Sequence, residues 1–570
     1  MDNSKEYERK CIELAFLMFP GIDETVDDLE IKYPERNLKQ DAFVTRFAPS
    51  PTGFLHTGAL FTSLINKKLA NQSEGRFFLR IEDTDRKREV EGSVDLLTKE
   101  MQQFKIVPDE GVITGTKEVG AYGPYTQSKR ENIYKTCAKY LVEKGLAYPC
   151  FCTPEMMEKT RKMQEENKIV PGYYGIYARC RNISIDESIE RVKNGEKFIV
   201  RFRSNGSHLK KTSFVDAIRG KIEIAENDQD VVIIKSDGLP TYHFAHVVDD
   251  HFMRTTHVIR GEEWIPSTPI HLQLFEAMGF KAPTYVHLPT IMIKEGNSKR
   301  KLSKRKDKEA AVSYFLKAGY PVDAVLEYLL TIINSDFETW RNKNKDLDYN
   351  DFVVRLKKVS ISGALFDIQK LNDVSKENIA RMNSKQVLDN VLDWTKKYDH
   401  DFYEMLNSNL DFAQKMFAME RDNAKKIRKD IIKWEDIKLT YFYFFDKLYE
   451  DDLKEKGYMF EVIENNTSDK ITKDVVKEVL KNYLNEYKED FSKEEWFENM
   501  KNTASRLNFC VDMKIYKQNK DKYKGSISDF AGIIRMAVTN RKNTPDIYYI
   551  MQLLGIEKVE KRINDALNSL

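Results

Sequence analysis

The chain has 570 residues, too many for one hydrophobic core, and this length predicts roughly three to five domains. Its 92 basic and 90 acidic side chains leave a net charge of +2, so local basic patches, and not a global field, would hold any nucleic acid. The acidic N-terminus, the lack of a membrane-length apolar run and only six cysteines lead us to expect a cytoplasmic protein without a leader peptide.

The first predicted strand follows an N-terminal extension, residues 1–42, that contains a predicted helix. The strand lies at Val44–Phe47, because β-branched and aromatic residues favour a pleated surface. Two prolines and a glycine break it, and an apolar pattern with helical spacing begins at Thr57. The strand, the turn carrying His56 and the helix N-terminus predict an anion site suited to a nucleoside triphosphate, because backbone N–H groups and the helix dipole converge there.

Further strands are predicted at residues 76–81, 231–234 and 257–259. The first of these ends at Glu82, and ligands of open α/β sheets bind beyond the carboxyl ends of strands, so Glu82 is placed to receive a substrate ammonium. Strand–helix alternation resumes near Arg260, which predicts that an insertion interrupts a doubly wound sheet.

A short basic cluster and a long helical region follow in the remainder of the chain. Residues 299–306 form a basic cluster, which on its own indicates a solvated loop or a localisation-type patch. Beyond about residue 310, apolar residues follow helical spacing. The basic residues between 421 and 433 are candidates for a nucleic-acid-binding patch, with an ordinary charged helix face as the alternative.

Two segments resemble the paired signatures of class I aminoacyl-tRNA synthetases, in the form found in glutamyl-tRNA synthetases. Residues 49–59, Pro-Ser-Pro-Thr-Gly-Phe-Leu-His-Thr-Gly-Ala, resemble the first signature, and residues 301–305, Lys-Leu-Ser-Lys-Arg, resemble the second. The resemblance implies an α/β, Rossmann-type doubly wound catalytic domain with an inserted acceptor-binding domain, followed by an all-α anticodon-binding region. The implied domains are residues 1–42 (extension), 43–130 and 236–310 (catalytic halves), 131–235 (inserted), 311–385 (helical stem-contact) and 386–570 (anticodon-binding).

The resemblance also implies the reaction and the residues that perform it. L-Glutamate would react with ATP and Mg²⁺ to give glutamyl-adenylate, and the glutamyl group would pass to the 3′ end of its tRNA. The implied catalytic residues are His56, Lys301 and Lys304. The implied ATP-binding residues are His56, Gly58, Glu263, Trp264 and Lys304. The implied glutamate-binding residues are Arg46, Ala48, Ser50, Glu82, Tyr242 and Arg260.

Several alternatives stay open. Cys150, Cys152 and Cys180 have the spacing of zinc ligands, but Asn182 occupies the position where the family closes such a site with histidine. Tyr177 could close the site instead, yet we favour buried free thiols. The other functions considered are charging of the glutamine tRNA, tRNA modification, another nucleotidyl transfer, and non-catalytic tRNA binding. We expect a monomer, as in the family, and His246 stands where the family pocket often has asparagine.

Overall fold

The computed structural model describes residues 2–570 except 86, 88, 304, 305, 362, 423, 426 and 461–470, and the chain divides into two compact units. Unit 1 comprises Met1–Phe315 and Leu326–Ile368, and unit 2 comprises Leu316–Val325 and Gln369–Leu570. The boundaries fall in or at the ends of three helices, which are α10 Val312–Ala318, α11 Val322–Ile333 and α13 Ile368–Ala380.

Unit 1 contains the strands of the predicted α/β domain. Its strands are β1 Val44–Phe47, β2 Arg76–Leu79, β3 Glu110–Thr114, β4 Lys117–Val119, β5 Ala147–Cys150, β6 Ile199–Phe202, β7 Lys211–Asp216, β8 Gly220–Ala225, β9 Val232–Ile234, β10 His257–Gly261, β11 Thr284–Leu288, β12 Ile291–Glu295, β13 Ser298–Lys301 and β14 Ala364–Phe366. Its other helices are α1 Asp2–Met18, α2 Val26–Lys32, α3 Thr57–Gln72, α4 Ser93–Gln103, α5 Glu131–Glu143, α6 Pro154–Glu166, α7 Ile185–Lys193, α8 Tyr242–Phe252, α9 Thr268–Met278 and α12 Asp336–Lys343.

Two parallel strand pairs build the centre of unit 1. Strand β1 pairs with β2, and β10 pairs with β11, both in parallel. The pairs are neighbours, because Thr256 N–H donates to Val44 O at 3.0 Å at the start of β1. The predicted interruption of a doubly wound sheet is confirmed, since β1 and β10 are adjacent in space and about 210 residues apart in sequence.

The inserted region contributes to more than its own sheet. Strands β5, β6 and β9 form an antiparallel sheet, whereas the hairpin of β7 and β8 joins β11 and so extends the sheet of β10. The N-terminal helix α1 packs on α5 and α7. Lys10 forms an ion pair with Asp186, and Glu13 with Lys193, so the extension is joined to the inserted region.

Unit 2 is built almost entirely from helices around one apolar core. Its other helices are α14 Ser384–Tyr398, α15 His400–Asn407, α16 Leu410–Ala418, α17 Asp436–Tyr441, α18 Asp446–Lys456, α19 Lys473–Glu486, α20 Lys493–Arg506, α21 Met513–Gln518, α22 Ile527–Thr539, α23 Ile547–Leu554 and α24 Ile556–Ser569. The all-α prediction needs one small addition, the two-residue strands β15 Phe509–Cys510 and β16 Gly525–Ser526.

The basic segment of unit 2 is largely neutralised within the protein. Arg421 is buried and donates to the carbonyl oxygens of Ile379 and Met382, so it is a structural residue and the patch prediction is wrong for it. Arg428 pairs with Asp430 at 3.0 Å, and Lys429 contacts Glu377. Throughout the described part of the chain, no helix has both the length and the hydropathy needed to cross a bilayer.

Candidate active site

Unit 1 contains a cavity of about 1490 Å³ at the carboxyl ends of β1, β2, β10 and β11. Its lining includes every described residue that the sequence analysis assigned to catalysis, ATP or glutamate, namely Arg46, Ala48, Ser50, His56, Gly58, Glu82, Tyr242, Arg260, Glu263, Trp264 and Lys301. Lys304, which was assigned with them, lies outside the described residues. The position of the cavity is the one expected for the ligand of an open α/β sheet.

The turn between β1 and α3 presents an imidazole and a helix N-terminus to the cavity. His56 is the N-cap of α3, and its Nδ1 accepts a hydrogen bond from Ala59 N–H at 3.0 Å. A neutral imidazole therefore carries its proton on Nε2 and donates from there. A Cβ at Gly58 would lie 3.2 Å from His56 Nδ1, so glycine keeps the ring close to the first helical turn. Both groups favour an anion at the same place.

Hydrogen bonds join the first signature to the chain that follows the second. Thr57 Oγ1 donates to Glu309 O at 2.5 Å, and Val312 N–H donates to Leu55 O at 3.2 Å. These bonds fix the chain that follows the second signature against the turn of the first. Lys301 lies at the end of β13, and its Nζ is 3.7 Å from Glu263 Oε1. This pair is exposed and weak, so the ammonium can turn toward a phosphate.

A clasp fixes the chain on either side of residues 304 and 305. Arg300 donates from both Nη atoms to the carboxylate of Asp307, at 2.6 and 2.7 Å. Ser303 N–H donates to the same carboxylate at 2.8 Å. The hydrogen bonds from Arg300 lower the pKa of Asp307 to about 2, so the clasp is fully charged at neutral pH.

Arg46 is held by a buried carboxylate at one side of its guanidinium. Its Nε donates to the two oxygens of Asp250 at 3.0 and 3.2 Å, and its Nη2 donates to Oδ2 at 3.1 Å. Burial alone would raise the pKa of Asp250, but Arg46, Arg80 and the bond from His246 outweigh it and hold that pKa well below its usual range. Among the described residues none bonds Nη1 of Arg46, which leaves this nitrogen for a ligand.

Glu82 is connected to the same carboxylate through a second arginine. Arg80 is fully buried; its Nη2 donates to Glu82 Oε1 at 3.0 Å, and its Nη1 donates to Asp250 Oδ1 at 2.8 Å. Burial raises the pKa of Glu82, and the nearby Arg80 and Arg46 offset only part of that rise. Glu82 N–H donates to Pro49 O at 3.0 Å, which fixes its backbone beside the first signature.

Arg260 is 5% exposed and carries a positive charge that none of the described carboxylates neutralises within ion-pair distance. Its Nε donates to His287 Nε2 at 3.1 Å, its Nη2 donates to Thr268 Oγ1 at 3.0 Å, and its Nη1 lies 3.3 Å from His271 Nδ1. Burial, with a contribution from Arg260 itself, lowers the pKa of both histidines, so they are neutral at pH 7. The cavity wall therefore offers an uncompensated cation to an anionic ligand.

Tyr242 lies between the charged groups of the cavity. Its ring packs on Trp264 with ring centroids 4.3 Å apart. The charges of Arg260, Glu82 and Arg46 act on its hydroxyl. Burial raises the pKa of the phenol, so the hydroxyl stays protonated. Within the described ranges this hydroxyl has no hydrogen-bond partner, and a ligand in the cavity is the group that would supply one.

The three cysteines of the inserted region converge on one point. The sulfurs of Cys150, Cys152 and Cys180 lie within 4.8 Å of one another, and all six cysteines of the chain are unpaired. The hydroxyl of Tyr173 is 3.3 Å from the Cys150 sulfur and 3.4 Å from that of Cys152. Tyr173, and not the Tyr177 named in the sequence analysis, is therefore the tyrosine that contacts the cluster and the candidate for a fourth ligand.

Sequence reasoning missed the residues that support the site. Asp250 and Arg80 are next to the predicted residues in space, yet Asp250 is separated from Arg46 by 204 positions. The available signal was a pair of acidic residues, Asp249 and Asp250, directly after the apolar pair Val247 and Val248 of the same helix, because buried carboxylates require partners. Tyr173 had no signal apart from its position before Cys180.

Comparisons with known proteins identify the family of the chain. A family described as tRNA synthetases class I (E and Q), catalytic domain, matches residues 42–373, and an anticodon binding domain matches residues 436–567. A glutamate–tRNA ligase of Clostridium beijerinckii is 50% identical over 98% of this chain and 99% of its own length. One of Acetivibrio thermocellus is 44% identical over 97% and 99%.

A solved structure is also similar over nearly the whole chain. It is the crystal structure of a glutamate tRNA ligase from Elizabethkingia meningosepticum in complex with its amino acid. The TM-score is 0.71 at 26% identity, with 93% of this chain and all of that chain covered. Together with the family match over more than half of the residues, these similarities show that the chain belongs to the glutamate–tRNA ligase family of class I tRNA synthetases.

Proposed function

We propose that this protein attaches L-glutamate to tRNA in two steps, with the cavity of unit 1 as its active site. The α-carboxylate of glutamate attacks the α-phosphorus of ATP, which gives glutamyl-adenylate and pyrophosphate. A terminal ribose hydroxyl of the tRNA then takes the glutamyl group and releases AMP. The observation that carries this proposal is the convergence of the His56 turn, Glu82 and two buried arginines on one cavity.

The phosphate end of the cavity supplies positive charge where the first step needs it. Negative charge gathers on the phosphoryl group, so preorganised cations and N–H donors lower the barrier more than acid–base chemistry does. His56 Nε2–H and the N-terminus of α3 face one side of the phosphates, and Lys301 approaches from the second signature. Mg²⁺ would enter with ATP and offset the charge of its phosphates, while Glu263 and Trp264 line the adenosine side.

The other end of the cavity recognises the amino acid through charge. Glu82 receives the α-ammonium, and Arg46 Nη1, Arg260 and Tyr242 face the side-chain carboxylate. Arg260 is the stronger cation of the two arginines, because Asp250 neutralises Arg46 whereas only neutral groups contact Arg260. The side-chain amide of glutamine has one acceptor oxygen where the carboxylate of glutamate has two, so glutamine would leave a buried N–H or O–H donor of the cavity unpaired. A site with an unpaired buried donor rejects an analogue strongly.

ATP–pyrophosphate exchange, run with and without tRNA, tests the proposal. We expect exchange that depends on glutamate, and an Arg46→Lys variant with a raised KM for glutamate and an unchanged KM for ATP. Lysine keeps a cation beside Asp250 but cannot reproduce the guanidinium fork. The matched control is Arg421→Lys, a buried arginine of unit 2, which should lower stability only. Exchange without glutamate, or equal glutamate KM values for the two variants, would contradict the assignment.

The cysteine cluster supports a structural zinc site in the inserted region. With zinc bound, the three sulfurs would ligate as thiolates and the phenol oxygen of Tyr173 would be the fourth donor, and four-coordination is what structural zinc requires. Bound zinc would cross-link β5 to the segment around Cys180 and take no part in glutamate transfer. The monomeric state and a cytoplasmic location, which suits six unpaired cysteines, remain part of the proposal.

A further inference from the structure

A chain of buried charges connects the two ends of the amino-acid site. It runs from Glu82 to Arg80, then to Asp250, and then to Arg46, with hydrogen bonds of 3.0, 2.8 and 3.0 Å in that order. The side chains of Arg80 and Asp250 are fully buried and are absent from the cavity lining. They are therefore unable to touch a substrate, whereas Glu82 and Arg46 at the ends of the chain both line the cavity.

Asp250 is fixed from every side. Besides the two arginines, it accepts a hydrogen bond from Thr255 Oγ1 at 3.1 Å and from His246 Nδ1 at 2.7 Å. Burial lowers the pKa of His246 to about 3, so the ring is neutral and donates from Nδ1. Its Nε2 then accepts from the hydroxyl of Tyr285 at 3.2 Å. All four groups around Asp250 are donors, so only a carboxylate satisfies them together.

We propose that the Arg80–Asp250 pair is a positioning element that sets the separation between Glu82 and Arg46 and thereby selects an amino acid of glutamate length. This inference rests on the proposed function, which assigns the ammonium to Glu82 and the side-chain carboxylate to Arg46. Aspartate is one methylene shorter, so it cannot reach both groups while their separation is fixed. Because Arg46 is held rigidly, its guanidinium cannot move to contact a side chain that is shorter or uncharged.

The residue next to Asp250 provides a matched control. Asp249 lies on the same helix, is equally buried, and accepts from Arg130 Nε at 2.6 Å and Tyr134 Oη at 2.8 Å. Its Oδ2 forms an ion pair with Arg80 Nε at 3.7 Å, beyond hydrogen-bond distance, and the hydrogen bonds of Arg46 go to Asp250 instead. Loss of charge at Asp249 therefore removes a comparable buried network and weakens one ion pair of Arg80, but it keeps every hydrogen bond that connects Glu82 to Arg46.

The test compares Asp250→Asn with Asp249→Asn in the full-length enzyme with tRNA present. The KM of glutamate and the inhibition constants of aspartate and glutamine are measured by pyrophosphate exchange, and stability by thermal unfolding. For Asp250→Asn we expect the KM of glutamate to rise at least tenfold and the KM of ATP to stay unchanged. The preference for glutamate, expressed as the inhibition constant of aspartate divided by the KM of glutamate, should fall at least tenfold. Asp249→Asn should lower the melting temperature and leave that ratio as in the unaltered enzyme.

The other outcomes decide against the inference. An unchanged ratio in Asp250→Asn overturns it, as does an equal fall in Asp249→Asn, because any lost charge would then suffice. If Asp250→Asn has a lower glutamate KM and an unchanged ratio of aspartate inhibition constant to glutamate KM, Asp250 only reduces the positive charge of Arg46. If Asp250→Asn does not fold, Arg80→Lys replaces it, since lysine keeps the charge but cannot bridge Glu82 and Asp250. Failure of Arg46→Lys to raise the glutamate KM would instead refute the proposed function.

Discussion

The hydroxyl of Tyr242 provides the cleanest single-atom test of the site. Tyr242→Phe removes one oxygen that has no hydrogen-bond partner within the described ranges, and it keeps the ring that packs on Trp264. A hydrogen bond from a neutral donor to a charged group contributes about 1.5–3 kcal/mol. Since about 1.4 kcal/mol corresponds to a factor of ten, the KM for glutamate should rise by about 10- to 150-fold.

The assay is pyrophosphate exchange at varied glutamate concentration, with thermal unfolding measured in parallel. The melting temperature of Tyr242→Phe should stay close to that of the unaltered enzyme, because no protein bond is lost. Tyr125→Phe is the opposite control: Tyr125 is 1% exposed, and its hydroxyl donates to Glu110 at 2.9 Å outside the cavity. That variant should lose stability at constant KM. A Tyr242→Phe enzyme with normal glutamate KM would refute the placement of glutamate in this cavity.

Three further results are expected. His56→Asn should lower the rate of adenylate formation about 100-fold at nearly constant melting temperature, because asparagine still caps α3; a normal exchange rate would remove His56 from catalysis. Because burial raises the pKa of Glu82 above the usual 4.5, kcat/KM for glutamate should fall on acidification through that raised value, and Glu82→Gln should abolish this limb of the pH profile. Elemental analysis should find about one zinc ion per chain in the unaltered protein and less in Cys152→Ser. If the unaltered protein holds no zinc, the thiols are free.

Local patterns predicted the part of the site that is continuous in sequence. The β-branched and aromatic residues of β1, the prolines and glycine of the turn, and the helical spacing of α3 together placed His56 and Gly58 correctly at a helix N-terminus. The resemblance to a known family added the roles, and with them the convergence of distant residues such as Arg260. Those roles remain proposals, although all the assigned residues that the structure describes line one cavity.

Sequence patterns did not predict which buried charged residues contact one another in the fold. Asp250 belongs to a helix whose apolar residues predict burial. Nothing in its sequence neighbours indicates that Arg46, in β1, and Arg80, just after β2, contact it. Arg421 was misassigned for the converse reason: an arginine in a charged segment suggests surface, yet carbonyl oxygens at the end of another helix receive its guanidinium. Charge pairing of this kind is set by the fold and not by spacing.

The packing of α1 on α5 and α7 has a practical consequence for dissecting the enzyme. Cys11, Leu14 and Ala15 are almost wholly buried in that packing, although the match to the catalytic family begins only at residue 42. A fragment cut at that boundary would leave the partner surfaces of these side chains in water. Such a piece should be prone to aggregation, so the shortest well-behaved catalytic fragment has to start at the first helix.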